Sequence, residues 1–263
     1  MEGATPGQSA VTNGPIGGLL SNNTKNLQES DSSINNGLKR PIRDDRPFEE
    51  DLFPDTMEGK LLKGLVRSYL IKQEPRLGWA RKSACDEKVL LAHPCESVAS
   101  HQWGVVWLIM TISKTSEFRE EMPNFDLARA YEMASQHDLA ELVTGDITPV
   151  DGISAEEKHR LEQEAMTSIL SCYPEDVADQ LHQVYAQYEF RKSFESKFVK
   201  DCDRLDFMIT AFLLERQGFK GFSEFYPNSN KDFTTTIAGK LANVLVKTRD
   251  ELFERGSLYP GNT

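Results

Sequence analysis

Cysteine is scarce: the four in this 263-residue chain, Cys85, Cys95, Cys172 and Cys202, stand far apart and form no CxxC pair. That pattern excludes a disulfide-stapled miniprotein and a cysteine-built zinc site, and it favours a reducing compartment. Long apolar runs are also missing, since the longest, Val105 to Met110, is far too short to span a bilayer. The opening residues Met1 to Ala4 lack the cationic patch and apolar core of a secretory leader. Positive charge is the scarcer sign, with 30 Lys and Arg against 41 Asp and Glu, a net charge of -11 and a pI near 5.0. The long-range field therefore repels nucleic-acid polymers and anionic membranes, and neither is an expected partner. A small phosphate-bearing ligand stays compatible where a local Arg, Lys or metal receives it. The expected setting is soluble and intracellular, in the cytoplasm or the nucleus.

Residues 1–50 hold no Trp, Tyr or Cys and a single Phe, while 21 of them are Gly, Asn, Ser or Pro. Too little apolar surface is available there to offset chain entropy, so residues 1–53 are expected to form a disordered tail. It ends in the mixed-charge stretch LKRPIRDDRPFEEDLFP, where Lys39, Arg40, Arg43 and Arg46 resemble an interrupted nuclear signal or a plain solvated linker. The folded body is then residues 54–256, followed by a flexible end at 257–263.

From residue 54 onward the apolar residues recur at helical spacing, and no strand-like alternation persists. Leu61, Leu62, Leu65, Val66, Tyr69 and Leu70 predict a buried stripe on a first helix. Val98, His101, Val105, Leu108, Ile109 and Ile112 mark a second. A third is expected from the cap Asp126 to Val143, stopped by Gly145, and a fourth from Ser154, with Glu157 at capping-box spacing, to Leu170. Pro174 opens a fifth carrying Val177, Leu181, Val184, Tyr185 and Tyr188. The sixth runs from Ser193 to about Glu215 with Phe194, Phe198, Val199, Leu205, Met208, Ile209 and Phe212 inward, and a last helix spans about 232–253. The fold class is all-α, a single helical domain.

The segment EMASQHDLAELVTGDITP sets His137 and Asp138 side by side in a predicted helix. Their side chains diverge by about 100°, yet a cation over the edge between them is within reach of both. Glu141 projects about 40° from His137 on the same helical wheel, where a group handling water at such a cation belongs. A core histidine or a solvated helix edge would carry the same letters. His101 on the inner side of the second helix and Asp203 on the sixth complete a two-His, two-Asp set from three helices, open to water and substrate. Mixed nitrogen and oxygen donors suit Mn, Co, Fe, Ni or Zn better than Mg. Asp201 lies about 200° from Asp203 and is expected to face elsewhere.

This H...HD...D pattern, together with PCESVASH, HDLAELVTGDITP, SAEEKHRLEQEAM and FESKFVKDCDRLDFM, resembles the HD-domain metal-dependent phosphohydrolases, in the branch of 5'-deoxynucleotidases. The resemblance spans about residues 59–253 and implies an all-helical HD-domain bundle. By it the metal ligands fall on His101, His137, Asp138 and Asp203, and the catalytic glutamate on Glu141. Asp146 falls where the family contacts the sugar and disfavours a 2'-hydroxyl. Arg76, Trp79 and Arg81 of RLGWAR match the family's substrate-binding Arg and Trp, although the spacing there is a residue shorter and the loop KSACDEKVLLAHP longer than the pattern. Ser100 stands where relatives carry an acid. Lys158, His159 and Arg160 read as a wet helix face with room for a phosphate contact.

The implied activity is hydrolysis of deoxyribonucleoside 5'-monophosphates to deoxyribonucleosides and phosphate, with one divalent transition metal per chain. The alternatives are an HD phosphohydrolase acting on another nucleotide or phosphomonoester, and a catalytically silent helical scaffold. A homodimer is expected by the resemblance, with Phe222, Phe225 and Tyr226 either an aromatic contact surface or a cluster packed beneath their loop.

Overall fold

The computed structural model describes residues 53–76, 79, 96–148, 151–226 and 233–258. The tail at 1–52, with its basic cluster, and the 82–94 loop lie outside the described residues, as do Cys85 and Cys95. Helices follow one another as α1 (Met57–Ser68), a 3-10 turn (Tyr69–Gln73), α2 (Val98–Ile112), α3 (Ser116–Glu121), α4 (Leu127–Gln136), α5 (Glu141–Thr144), α6 (Ala155–Leu170), α7 (Glu175–Phe190), α8 (Phe194–Arg216), a 3-10 turn (Ser223–Phe225) and α9 (Thr236–Glu254). Among the described residues there is no strand, only an isolated antiparallel bridge between Pro75 and Ser97.

Short polar side chains start most of these helices. Thr56, Ser97, Thr115, Asp126, Ser154 and Ser193 each accept a hydrogen bond from the backbone N–H three residues on. Each such cap stabilises its helix by about 1 kcal/mol, because the first-turn N–H groups have no intrahelical acceptor. Asp201 plays the same part at a distance: its buried carboxylate accepts from Thr234 N, Thr235 N and Thr235 Oγ1, fixing the start of α9. It therefore faces away from Asp203, as the helical angle predicts.

Helix α8 runs through the molecule and packs on α2, α4, α7 and α9. The larger apolar cluster gathers Val105 and Ile109 of α2, Met133 and Ala134 of α4, and Phe198, Val199, Leu205 and Met208 of α8. A second cluster holds Ile71, Val98, Ala140, Leu142, Val143, Met166, Ile169 and Tyr185. His101 falls between Val98 of one cluster and Val105 of the other, and His137 between Ala134 and Ala140. The polar residues of interest thus line the seam where two apolar clusters meet.

Several expectations fail for tertiary reasons. Of the expected first stripe, Leu62, Leu65 and Val66 on α1 and Tyr69 in the turn after it are exposed, Leu61 and Leu70 are half-buried, and the helix turns Gly59 and Gly64 inward instead. Gly64 lies so close to the Tyr173 ring that no side chain would fit, while Arg67 donates to Ser168 O and Cys172 Sγ. Phe194 is exposed at the first position of α8, with Lys197 over its ring. Phe222 and Tyr226 are buried in the main core, with Phe225 packed on it, so they offer no outward contact surface. The expected third helix breaks after Gln136. Leu258 is fully buried and its carbonyl accepts from Arg216 Nη1 at 3.0 Å, so ordered packing continues past residue 256. Helix α3 is too short to show a period of its own, and the apolar pattern does not mark it.

Candidate metal centre

At the end of α4 the chain tightens. Leu139 N reaches Gln136 O, Glu141 N reaches Asp138 O, Leu142 N reaches Leu139 O and Val143 N reaches Ala140 O, all three residues back. With three residues per turn, Asp138 and Glu141 come onto one face and His137, Ala140 and Val143 onto another. The continuous wheel expected there, which set Glu141 between His137 and Asp138, is replaced by this tighter one. Gly145 then closes α5 at φ 70°, a conformation that favours glycine, and turns the chain into the buried loop residues Asp146 and Ile147.

His101, His137 and Asp203 bring ligand atoms within 4.8 Å of one another, the group among the described residues suited to a metal ion. His101 Nε2 lies 3.3 Å from His137 Nε2 and 3.1 Å from Asp203 Oδ1. Asp138 Oδ2 stands 3.5 Å from both Nε2 atoms. The opposite ring nitrogens are engaged elsewhere: His137 Nδ1 meets Ala134 O at 2.9 Å, and His101 Nδ1 meets Asp206 Oδ2 at 2.6 Å. A backbone carbonyl only accepts, so His137 Nδ1 carries the proton and its Nε2 lone pair points into the cluster. Two imidazole nitrogens and two carboxylates then converge on one spot, and without a shared cation their lone pairs repel. The donor set fits a divalent transition metal.

Electrostatics agree. Burial alone would lower the His101 pKa, but hydrogen bonds to Asp203 and Asp206 outweigh it and raise it to about 9. In the metal-free chain a proton thus bridges what a cation would bridge. Burial holds the His137 imidazole below its ordinary value. Asp203 is half-buried, and its desolvation would raise its pKa, yet Lys200, three residues earlier, and the two imidazoles draw it well down. Burial works against ionised Asp138 as well, and His137, Arg76 and His101 outweigh it.

Arg76 reaches the cluster through backbone pairing: Arg76 N donates to Glu96 O at 2.8 Å and Val98 N to Glu74 O at 2.9 Å, either side of the Pro75–Ser97 bridge. Its Nη1 lies 3.0 Å from Asp138 Oδ2 and 4.0 Å from Glu141 Oε2. Glu141 is buried, and burial followed by repulsion from Asp138 and Asp146 raises its pKa well above the carboxylate range. Lys158 Nζ, near Glu162 Oε1 at 3.4 Å, donates to Ile147 O at 3.1 Å, so this lysine braces the loop beside Asp146.

The structure therefore brings together His101, His137, Asp138, Glu141, Asp146, Asp203 and Arg76. Trp79 behaves differently: only 6% exposed, it stacks on Phe207 at 4.5 Å and gives its indole N–H to Glu96 Oε2 at 3.2 Å. That places it as wall rather than open contact surface. Arg81 lies outside the described residues. Ser100 is exposed and hydrogen-bonds to Ser97 Oγ at 2.9 Å. Sequence reasoning missed Asp206 and Lys200, although both sit three residues from Asp203 and so share its helix face.

A helical bundle with histidine and aspartate converging from α2, the turn after α4, and α8 is the architecture of one class, and the chain belongs to it: the HD domain family matches residues 71–244. Within that class it is 34% identical over 170 residues to 5'-deoxynucleotidase HDDC2 of Homo sapiens, covering 65% of this chain and 72% of that protein. It is also 34% identical over 198 residues to 5'-deoxynucleotidase hdd1 of Schizosaccharomyces pombe, covering 72% and 87%. A predicted metal-dependent phosphohydrolase from Magnetospirillum magnetotacticum MS-1 superimposes with a TM-score of 0.58 at 19% identity, over 79% of this chain and 98% of that one. A conserved hypothetical protein from Pyrococcus furiosus gives 0.55 at 24%, over 72% and 99%. These two structures share the fold.

Proposed function

We propose that this protein is a metal-dependent 5'-deoxynucleotidase, which hydrolyses deoxyribonucleoside 5'-monophosphates to deoxyribonucleosides and phosphate. The observation that carries the reading is the convergence of two imidazole Nε2 atoms, 3.3 Å apart, with Asp138 and Asp203, beside the buried acid Glu141. The two 5'-deoxynucleotidase relatives support the substrate class. His101, His137, Asp138 and Asp203 would hold one divalent metal ion, Mn or Co in the first instance, with Zn, Fe, Ni and the non-transition ion Mg as further candidates. A cation held there supplies Lewis acidity toward a phosphoryl oxygen and toward water.

The chain's own groups divide the remaining work. Arg76, kept cationic by Asp138, Glu141, Asp146 and Asp203, orients a phosphoryl oxygen. Glu141, whose surroundings favour its protonated form, delivers a proton to the leaving 5'-oxygen and in its ionised form orients water. Asp146, held by the Gly145 turn and the braced Ile147 carbonyl, faces the sugar and disfavours a 2'-hydroxyl. Trp79 bounds the substrate side as a wall bonded to Glu96, and Arg81 is a further substrate-binding residue by the family pattern. Phosphate release from deoxyribonucleotides and ribonucleotides, each with Mn, Co and Mg, tests the reading. Release from deoxyribonucleotides is expected to exceed that from ribonucleotides, and no release with any metal would sink it.

The same proposal includes a cytoplasmic homodimer. No helix among the described residues is long and apolar enough to cross a membrane, and Cys172 and Cys202 are free thiols, as a reducing compartment leaves them. Trp103 and Trp107, 66% and 49% exposed and stacked at 5.8 Å, supply outward aromatic surface for a second copy. Light scattering should report a dimer that Trp103→Glu with Trp107→Glu converts to monomer; a monomeric wild type refutes it.

A further inference from the structure

Helix α8 grips one histidine by both ring nitrogens. Asp203 Oδ1 stands 3.1 Å from His101 Nε2, and Asp206 Oδ2, three residues further along the same face, stands 2.6 Å from Nδ1. An ionised carboxylate only accepts, so Asp206 fixes the proton on Nδ1 and turns the Nε2 lone pair toward the cluster. The two histidines differ here, because His137 obtains the same service from a backbone carbonyl, Ala134 O.

A second observation lies across the interface on α2. Gly104 sits in the interior of that helix, three residues after His101, where glycine is disfavoured relative to alanine. Its backbone does not require glycine, since Gly104 is not among the positive-φ residues. What requires it is space: a Cβ built there would overlap Asp206 Oδ1 and come within 2.9 Å of Asp206 Cγ. Gly59 and Gly64 also lack room for a side chain, but they abut the Pro54 backbone and the Tyr173 ring, away from the carboxylate cluster. The helix thus gives up propensity at the one turn where α8 must bring a carboxylate against His101.

We propose that Asp206, admitted by Gly104, is a positioning residue that sets the tautomer and ring direction of His101 for metal binding. This rests on the metal-centre reading above and concerns how that centre is held, with no direct contact between Asp206 and substrate.

The test is titration of metal-depleted full-length protein with Mn by calorimetry, with circular dichroism and thermal melting alongside. Asp206→Ala is expected to weaken Mn binding about 10- to 100-fold, the usual cost of removing a carboxylate that orients a ligating histidine. Asp206→Asn keeps an acceptor without the charge and should lose less. Gly104→Ala should lose affinity on the same scale, even though alanine favours the helix. In the Asp206→Ala background, Gly104→Ala should cost nothing further, because its effect runs through a carboxylate no longer present. Saturating Mn should restore most turnover to each variant, which separates positioning from a part in the chemistry.

Unchanged Mn affinity in folded Asp206→Ala would overturn the proposal, and losses that simply add in the double variant would remove Gly104 from it. If Asp206→Ala does not fold, Asp206→Asn and Gly104→Ala decide the matter by the same titration. A wild type that binds no Mn, Co or Mg overturns the metal centre itself, a failure distinct from that of its positioning.

Discussion

Two half-buried arginines pair with carboxylates in this molecule, and their surroundings differ in one respect that separates structure from function. Around Arg249 every strong group is matched: its Nε and Nη2 lie 2.7 Å from the two oxygens of Glu215, Tyr226 Oη donates to the same carboxylate at 3.0 Å, and the guanidinium stands 4.4 Å from the Tyr226 ring centroid. Around Arg76 the balance is uneven, since one guanidinium faces Asp138, Glu141, Asp146 and Asp203, and Glu141 Oε2 is buried with no hydrogen-bond partner. A closed polar cluster fixes α8, α9 and the turn before it in one arrangement. An open one, in which a buried carboxyl oxygen lacks a donor beside two converging imidazoles and two carboxylates, is built for a cation and a substrate that supply what is lacking.

The comparison breaks most sharply at Asp203. Asp203→Ala should remove metal content and turnover together, and Asp138→Ala should do likewise, as elemental analysis beside phosphate release will show. A variant that kept its metal and activity would remove that residue from the ligand set. Next in size is Glu141→Gln, expected to keep most metal while turnover falls by about 10² to 10⁴, the range of positioned proton transfer. Loss of metal in a folded Glu141→Gln protein would make it a ligand instead.

At the closed cluster the expected effect is of another kind. Glu215→Ala removes the acceptor of the half-buried Arg249 guanidinium and of the Tyr226 hydroxyl and should cost about 1 to 3 kcal/mol of stability by denaturant titration. Mn affinity of the folded fraction should stay as in the wild type; a large drop would mean that the two clusters are coupled.

The smallest effect is on pH. His101 in the metal-free chain has its pKa raised to about 9, so its contribution to stability is fully present below about pH 6.5 and fades as pH climbs through 9. Glu141, raised well above the carboxylate range, acts in the same direction. The melting temperature of the metal-free protein should therefore decline between pH 6.5 and 9, while apparent Mn affinity rises by up to about tenfold per unit as the competing proton leaves. Melting curves that do not depend on pH across that window would contradict the proton-for-metal exchange.

Much of the fold is legible in the residues alone, because its start and stop signals are local. Asp126 and Ser154 act as caps where the sequence places them, Ser193 stands at the start expected for its helix, and Gly145 ends its helix by its own backbone freedom. Legibility fails where the deciding neighbour is distant in sequence. The apolar stripe of α1 carries the right period, yet most of it is exposed because the inward face is set by a glycine against Tyr173, more than a hundred residues later. Trp79 reads as a substrate contact, and its burial is decided by Phe207, Phe222 and Phe225 closing around it.

The sequence by itself determined an all-helical chain with an imidazole on α2, an adjacent imidazole and carboxylate after α4, and a carboxylate on α8, since residue identity and helical period are both local. The helical period also puts Asp206 on the face of Asp203, although nothing in the sequence pattern singled Asp206 out. Only the tertiary structure decided that α8 approaches α2 at Gly104, so that one face of one helix reaches both nitrogens of His101. Only it decided that the turn after Gln136 tightens enough to set Asp138 and Glu141 beside the same arginine. The physical reason is that ligand geometry is fixed to fractions of an ångström by which helices touch and where, and those distances belong to packing rather than to any short run of residues.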